Sequence, residues 1–392
     1  MRKFTDIIKF IVLVGVPTGC AAAVIFAGRS ALPQGTGAGD TLLYVLFALV
    51  GIFAARFLHT LFHEGFHAVF GAANGFFVHS FSVGFLVFSR KEKGFKVSLK
   101  RGSQYAGTLL YSAKHGENLE RRYIRIAAGG LIGSLIATLL YTLPLFFYAS
   151  LPSALYFLLA AGLPVSAWLL LRNALPYYSD GVYNDGAVIA GVLQGDPSAK
   201  ISVRLMLVQS FLFQGKSPGE IPSSYFEDVP VAADSDINKI QLKVFAYAHY
   251  FDGGNMQRAD EAISFLQENL EYLPDIFSGM VLTDIFYHTL TYRKEIEKAA
   301  DLYILFKQEL DSQPNICSLR IRAAYELYVL QKPDLAAQSA RLALAMASDY
   351  PLPGIAKMER RVLEELLKEC AAAETSANTN ALDTPLFVEY DK

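Results

Sequence analysis

Charge is scarce in this chain, and cysteine is scarcer. Only 18% of the 392 residues are charged, while 53% are hydrophobic. A globular domain in water carries nearer a quarter charged residues, so the shortage argues against a chain that is soluble throughout. Three cysteines, Cys20, Cys317 and Cys370, stand far apart. That spacing excludes a disulfide framework and a cysteine-based zinc site. No stretch shows a basic-patch pattern, so nucleic acid is not an expected partner. Val16-Pro17-Thr18-Gly19-Cys20 has a faint likeness to a lipoprotein processing site. Pro17 occupies a position that normally wants leucine or a similar residue, and further apolar spans follow, so a first transmembrane helix is the expectation there.

The net charge of −2 hides an asymmetry. Residues 1–194 carry 16 Lys+Arg against 8 Asp+Glu, and residues 195–392 carry 19 against 29. The first half reads as membrane with basic loops, the second as a soluble acidic region. Between Lys9 and Arg29 lie 19 uncharged residues, enough to span a bilayer. A second apolar helix runs from Leu42 to about Gly71. Between Arg125 and Arg172 lie 46 uncharged residues, which make two spans with a turn near Pro152. Nine Lys+Arg fall within residues 75–123, which places that loop in the cytoplasm by the positive-inside rule. With Arg2, Lys3 and Lys9 before the first span and four spans in all, both ends of the chain are expected on that side.

The second span ends in His63-Glu64-Gly65-Phe66-His67, an H-E-x-x-H pattern. On a helix, positions i and i+4 share a face, so His63 and His67 can hold one zinc ion together. Glu64 lies beside them, placed to take a proton from an attacking water. Ionisable side chains at membrane depth are costly and mark function. His59 shares the face, but residues 59 and 67 of a straight helix are about 12 Å apart, so the three histidines cannot hold one ion. His59 is read as a packing or supporting residue. A catalytic zinc takes three protein ligands and leaves a position for water. Candidates for the third follow the last span, in Asn173-Ala-Leu-Pro176-Tyr-Tyr-Ser-Asp180-Gly-Val-Tyr-Asn184-Asp185-Gly186. Either Asp180 or Asp185 can offer an oxygen. Asn173 is read as a donor to substrate or as a cap where the helix breaks.

In these features the chain resembles the site-2 protease family of intramembrane zinc metalloproteases, over roughly residues 42–195. The resemblance rests on His63, Glu64 and His67, on Asn173 and Pro176, and on an Asp-Gly pair. Phe76–Phe88 is similar to the strand that follows the zinc helix in that family, and Gly129-Gly130-Leu-Ile-Gly133-Ser134 to its glycine-rich intermediate span. The family's commonest spacing from the proline to the aspartate is five, which neither aspartate matches. A longer version, with a glycine near the middle and the aspartate nine residues on, fits Gly181 and Asp185. Asp185 is therefore favoured over Asp180, and an apolar helix (187–193) starts just after it. The resemblance implies an endopeptidase that cleaves membrane-anchored proteins, with zinc on His63, His67 and Asp185, Glu64 as base, and strand 77–88 receiving the unwound substrate along its edge. The expected setting is a bacterial cytoplasmic membrane, with the C-terminal region in the cytoplasm.

The expected fold is mainly α: a polytopic helical core with a small β insertion over residues 1–195, then a linker (196–238), a helical-repeat-like region (239–370) and a loose tail (371–392). Within 76–111, alternating apolar residues predict strands, and Lys91-Glu-Lys-Gly94 predicts a hairpin turn. The repeat reading rests on Ala262, Ala300 and Ala337, which recur in similar contexts 38 and 37 residues apart, close to a tetratricopeptide-like period. A surface of this kind suits a protein partner. Two other readings stay open: a non-proteolytic membrane scaffold that presents the helical region, and a channel or transporter whose interior polar residues serve ions. The scaffold would need neither metal nor Glu64. The absence of a visible inverted repeat weighs against the channel.

Overall fold

The structure is a computed structural model that describes residues 2–90, 95–99, 107–179, 182–273, 275–312 and 314–382. The fold is mainly α, and the chain divides into two compact units, residues 1–203 and 204–392.

The first unit opens with α1 (Arg2–Ala31) and α2 (Ala38–Ala73). Asp40 accepts from the Gly37 backbone N–H at 3.2 Å, which closes the first turn of α2. An antiparallel sheet of β1 (Phe76–Val83), β2 (Leu86–Arg90), β3 (Phe95–Leu99) and β4 (Gly107–Ala113) follows, in spatial order β3-β2-β1-β4. Next come α3 (Leu119–Phe146), α4 (Ser153–Ala160) and α5 (Gly162–Ala174), then a two-residue pair, β5 (Tyr178–Ser179) and β6 (Val182–Tyr183), then α6 (Asp185–Gln194). Four segments, Ile7–Ala31, Ala38–Ala73, Leu119–Phe146 and Ser153–Ala174, are long and apolar enough to cross a bilayer. The outer half of α2 leaves Leu42, Leu46, Leu49, Val50 and Phe53 exposed. An apolar surface of this extent on a stable helix suits a lipid surround better than water.

Glycines set how closely the long apolar helices approach. A Cβ on Gly133 would meet the Phe62 carbonyl oxygen at 2.5 Å, and one on Gly129 would meet the Phe70 ring at 2.7 Å. Gly129 and Gly133, four residues apart in the glycine-rich stretch, thus press α3 onto the histidine-bearing face of α2. Lys9 donates to the Pro176 carbonyl at 2.7 Å, so α1 begins at the same end of the bundle where α5 ends.

The expected single strand at 77–88 is broken. Gly84 has φ +56°, and Gly84-Phe85 turns the chain so that Val83 pairs with Leu86. A φ in the left-handed region costs glycine little, and the turn shifts the shared face from odd positions (Phe81, Val83) to even ones (Leu86, Phe88). β1 is flanked by β2 and β4, and β2 by β1 and β3. Residues 80–83 and 86–89 are paired on both sides, which corrects the expected edge role for that part of 77–88. Among the described strands the outer positions belong to β3 and β4. β2 and β3 pair as the expected hairpin; the turn at 91–94 lies outside the described residues.

Residues 196–238 differ from the expected linker. α7 (Pro197–Phe213) occupies their first part, and the division between units falls inside it. Asp196 caps α7, accepting from the Ser198 and Ala199 N–H groups at 2.9 and 3.1 Å. The rest, including the single turn α8 (Ser224–Glu227), lies against the second unit's helices. Gly219 N–H donates to Asp252 at 2.8 Å, and the Phe226 ring stacks on His249 with centroids 4.7 Å apart.

The second unit continues as α9 (Ile237–Asp252), α10 (Met256–Glu268), α11 (Asp275–Thr291), α12 (Ile296–Ser312), α13 (Ile316–Ala324), α14 (Pro333–Met346) and α15 (Pro353–Leu382). Short turns join α9 to α10, α11 to α12 and α13 to α14. The three recurrent alanine segments fall on the second helix of each pair, where Ala262, Ala299 and Ala337 are buried. Small residues let paired helices approach closely and so repeat with the pairs. α15 continues past Ala371 to Leu382, which makes the first part of the expected tail helical.

Candidate metal centre

Three side chains converge at the end of the bundle. His63 and His67 lie one turn apart on α2, and α6 brings Asp185 to them from more than a hundred residues away in sequence. The His67 and His63 Nε2 atoms are 3.1 Å apart. Asp185 Oδ2 is 3.4 Å from the Nε2 of His63 and 3.3 Å from that of His67. Among the described residues this is the one group of three or more His, Cys, Asp or Glu close enough to hold a metal ion.

The far side of each ring fixes its tautomer. His67 Nδ1 lies 2.7 Å from the Ile126 carbonyl oxygen. His63 Nδ1 lies 3.1 Å from the Gly130 carbonyl oxygen and 2.9 Å from Ser134 Oγ. A carbonyl only accepts, so both Nδ1 atoms carry the proton and a neutral ring turns a bare lone pair at Nε2 inward. Two such lone pairs and a carboxylate oxygen then face one another. Asp185 Oδ2 is buried and has no hydrogen-bond partner. Left like this, three acceptors in contact repel, and an unsatisfied buried acceptor costs about 1–3 kcal/mol. A cation at their centre removes both penalties. Donors on a tetrahedral ion with bonds of about 2.0–2.1 Å stand about 3.3–3.4 Å apart, close to the observed triangle. Two imidazoles and one carboxylate suit zinc and neighbouring transition metals, not calcium or magnesium. The residues present therefore fit the expected group.

Glu64 lies outside the cluster, although its residue is buried. A Cβ on Gly107 would stand 2.5 Å from its Oε1, so β4 begins directly over the carboxylate. Farther along β4, Tyr111 hydrogen-bonds to Tyr123. Burial pushes the Tyr111 phenol well above its ordinary range, and Tyr123 and the Asp185 and Glu64 carboxylates push it the same way. It stays protonated and can donate.

Of the other expected residues, Asn173 sits half-buried on the last turn of α5. Its backbone oxygen would meet a Cβ on Gly186 at 3.1 Å. Asp180 lies outside the described residues. His59 is buried, with Nδ1 2.7 Å from Ser166 Oγ, in a small polar group that includes Thr138. Sequence reasoning passed over Tyr111 and placed Gly130 and Asn184 within motifs without giving either a role. Asn184 carried a readable signal, an asparagine just before an apolar helix; the other two depend on contacts distant in sequence. Comparison with protein-family models, curated proteins and solved structures returns no match.

Proposed function

We propose that this chain is an intramembrane zinc endopeptidase of the site-2 protease type, acting on membrane-anchored proteins. The observation that carries this reading is the inward-facing acceptor triangle of His63, His67 and Asp185, with an unligated glutamate beside it. His63, His67 and Asp185 would hold the metal. When bound, it would make water nucleophilic near neutral pH and polarise a peptide carbonyl. Glu64 takes the proton from the attacking water and passes it to the departing amine. Glu64 and His67 are buried, which limits bulk water at the site and strengthens each of these interactions. A helical substrate has its carbonyls hydrogen-bonded and must unwind first. An extended segment needs an open strand edge close to Glu64, and β4 is an outer strand among the described ones and begins beside Glu64.

The second unit, on this reading, binds a protein partner or selects substrate. A cleft of about 560 Å³ supports that role; Leu282, Phe286, Leu302, Phe306, Cys317 and Tyr350 line part of it.

Glu64→Gln in the purified full-length protein is the direct test. The variant should keep its metal and lose cleavage of an unstructured membrane-anchored peptide. Cleavage at the wild-type rate removes Glu64 from the chemistry. Loss of the metal would instead make Glu64 a ligand.

A further inference from the structure

The connection between α5 and α6 holds one side chain that does more than a helix cap requires. Asn184 Nδ2 donates to the carbonyl oxygens of Arg172 at 2.5 Å and Leu175 at 2.7 Å. Its Oδ1 accepts from the backbone N–H groups of Ala187 at 2.8 Å and Tyr177 at 3.1 Å. A primary amide has two N–H donors and two acceptor lone pairs, and all four are used. The carbonyls lie at the end of α5, where a helix leaves its last oxygens unpaired; the Ala187 N–H is one of the orphan donors at the start of α6. One side chain thus joins the two helix ends.

Asp185 is the next residue. On its other side, a Cβ on Gly186 would stand 2.1 Å from the Ala174 carbonyl oxygen, so α6 begins flush against the end of α5. Asp185 is held between these two contacts, and α5 packs in turn against α2, which carries the histidines.

We propose that Asn184 is the positioning residue of the metal centre: its amide fixes where the Asp185 carboxylate stands relative to His63 and His67. This rests on the metal-centre reading above. Capping alone does not explain the residue. Serine, threonine or aspartate would cap α6 equally well. None of them supplies two N–H groups for the Arg172 and Leu175 carbonyls, and an aspartate would set its charge against both.

Cobalt(II) tests this independently of turnover, because its visible absorption reports ligand number and geometry. Metal-free full-length protein in detergent is titrated with cobalt, and affinity is read by competition with a chelator. Asn184→Asp keeps the acceptor that starts α6, so the helix forms. It should bind cobalt about 10- to 100-fold more weakly than wild type, the usual effect of losing a residue that orients a ligand, with altered visible bands. Asn184→Ala should show at least the same loss. Asp196→Ala removes the comparable cap of α7 and should leave both readouts at their wild-type values. A wild-type spectrum and affinity in Asn184→Asp would overturn the positioning role and leave the metal centre standing. Equal losses in Asp196→Ala would reduce the role to general helix stability. Wild-type protein that takes up no cobalt would sink the metal-centre reading, and this proposal with it.

Discussion

A Cβ on Gly130 would stand 2.2 Å from Nε2 of His67, the atom that faces His63 and Asp185. The α3 backbone therefore forms one wall of the candidate metal centre, and Gly130 also offers its carbonyl to His63. Gly130→Ala should push the His67 ring out of register and sharply reduce bound metal. Forcing a methyl into a packed interior costs about 1–3 kcal/mol, which leaves room for the chain to fold. Metal content and circular dichroism of the purified variant check this together. Full metal occupancy in a folded Gly130→Ala protein would show that α3 does not wall the site.

Much of the centre was legible because its chemistry is local. His63, Glu64 and His67 lie within one turn and a half, and apolar runs bounded by charges marked the spans. Asp185 was one of two candidate aspartates after the last apolar run, and only the resemblance favoured it over Asp180, since nothing within α2 points to a partner so far along the chain. The sheet was half legible. Alternation gave strands, but Phe85 and Val87 are apolar like Phe81 and Val83, so the change of face at Gly84-Phe85 that makes β1 an inner strand went unread although Gly84 marks it. Residues 214–238 fall in the expected linker 196–238, yet contacts distant in sequence hold them against α9 and α15. The Pro218 carbonyl accepts from His249 at 2.9 Å, and Glu220 pairs with Lys357 at 2.8 Å.

The sidedness of the bundle is the next test. Positive residues in 75–123 and an even number of spans predict that residues 75–123 and the chain's C-terminal region both face the cytoplasm. Exposed Glu117 and Glu364 are suitable reporters. With Cys20 replaced by serine, Glu117→Cys and Glu364→Cys should resist an impermeant thiol reagent in intact cells and react after lysis. Labelling of either in intact cells would reverse the orientation.

The second unit should lose stability on mild acidification. Burial pushes His288 below the ordinary histidine value, although Asp260, 3.1 Å from its Nε2, opposes the shift. Burial alone would raise the Asp260 carboxyl, but hydrogen bonds from Arg293 and His288 override it and hold the carboxyl low. Both groups bind protons less readily folded than unfolded. The His288 contribution is complete above about pH 6.5 and is lost as pH falls through its lowered folded value; the Asp260 contribution follows below about pH 4. Denaturant unfolding of the full chain from pH 7.5 to 5.5 should show falling stability, and His288→Gln should flatten the dependence. An unchanged slope in the variant would remove His288 as the cause.

The central claim is that His63, His67 and Asp185 hold one metal ion. Elemental analysis of purified full-length protein, wild type beside His63→Ala and Asp185→Asn, tests it most directly. The account predicts close to one zinc per wild-type chain and marked loss in both variants. Metal-free wild-type protein, or equal metal in all three, would contradict it.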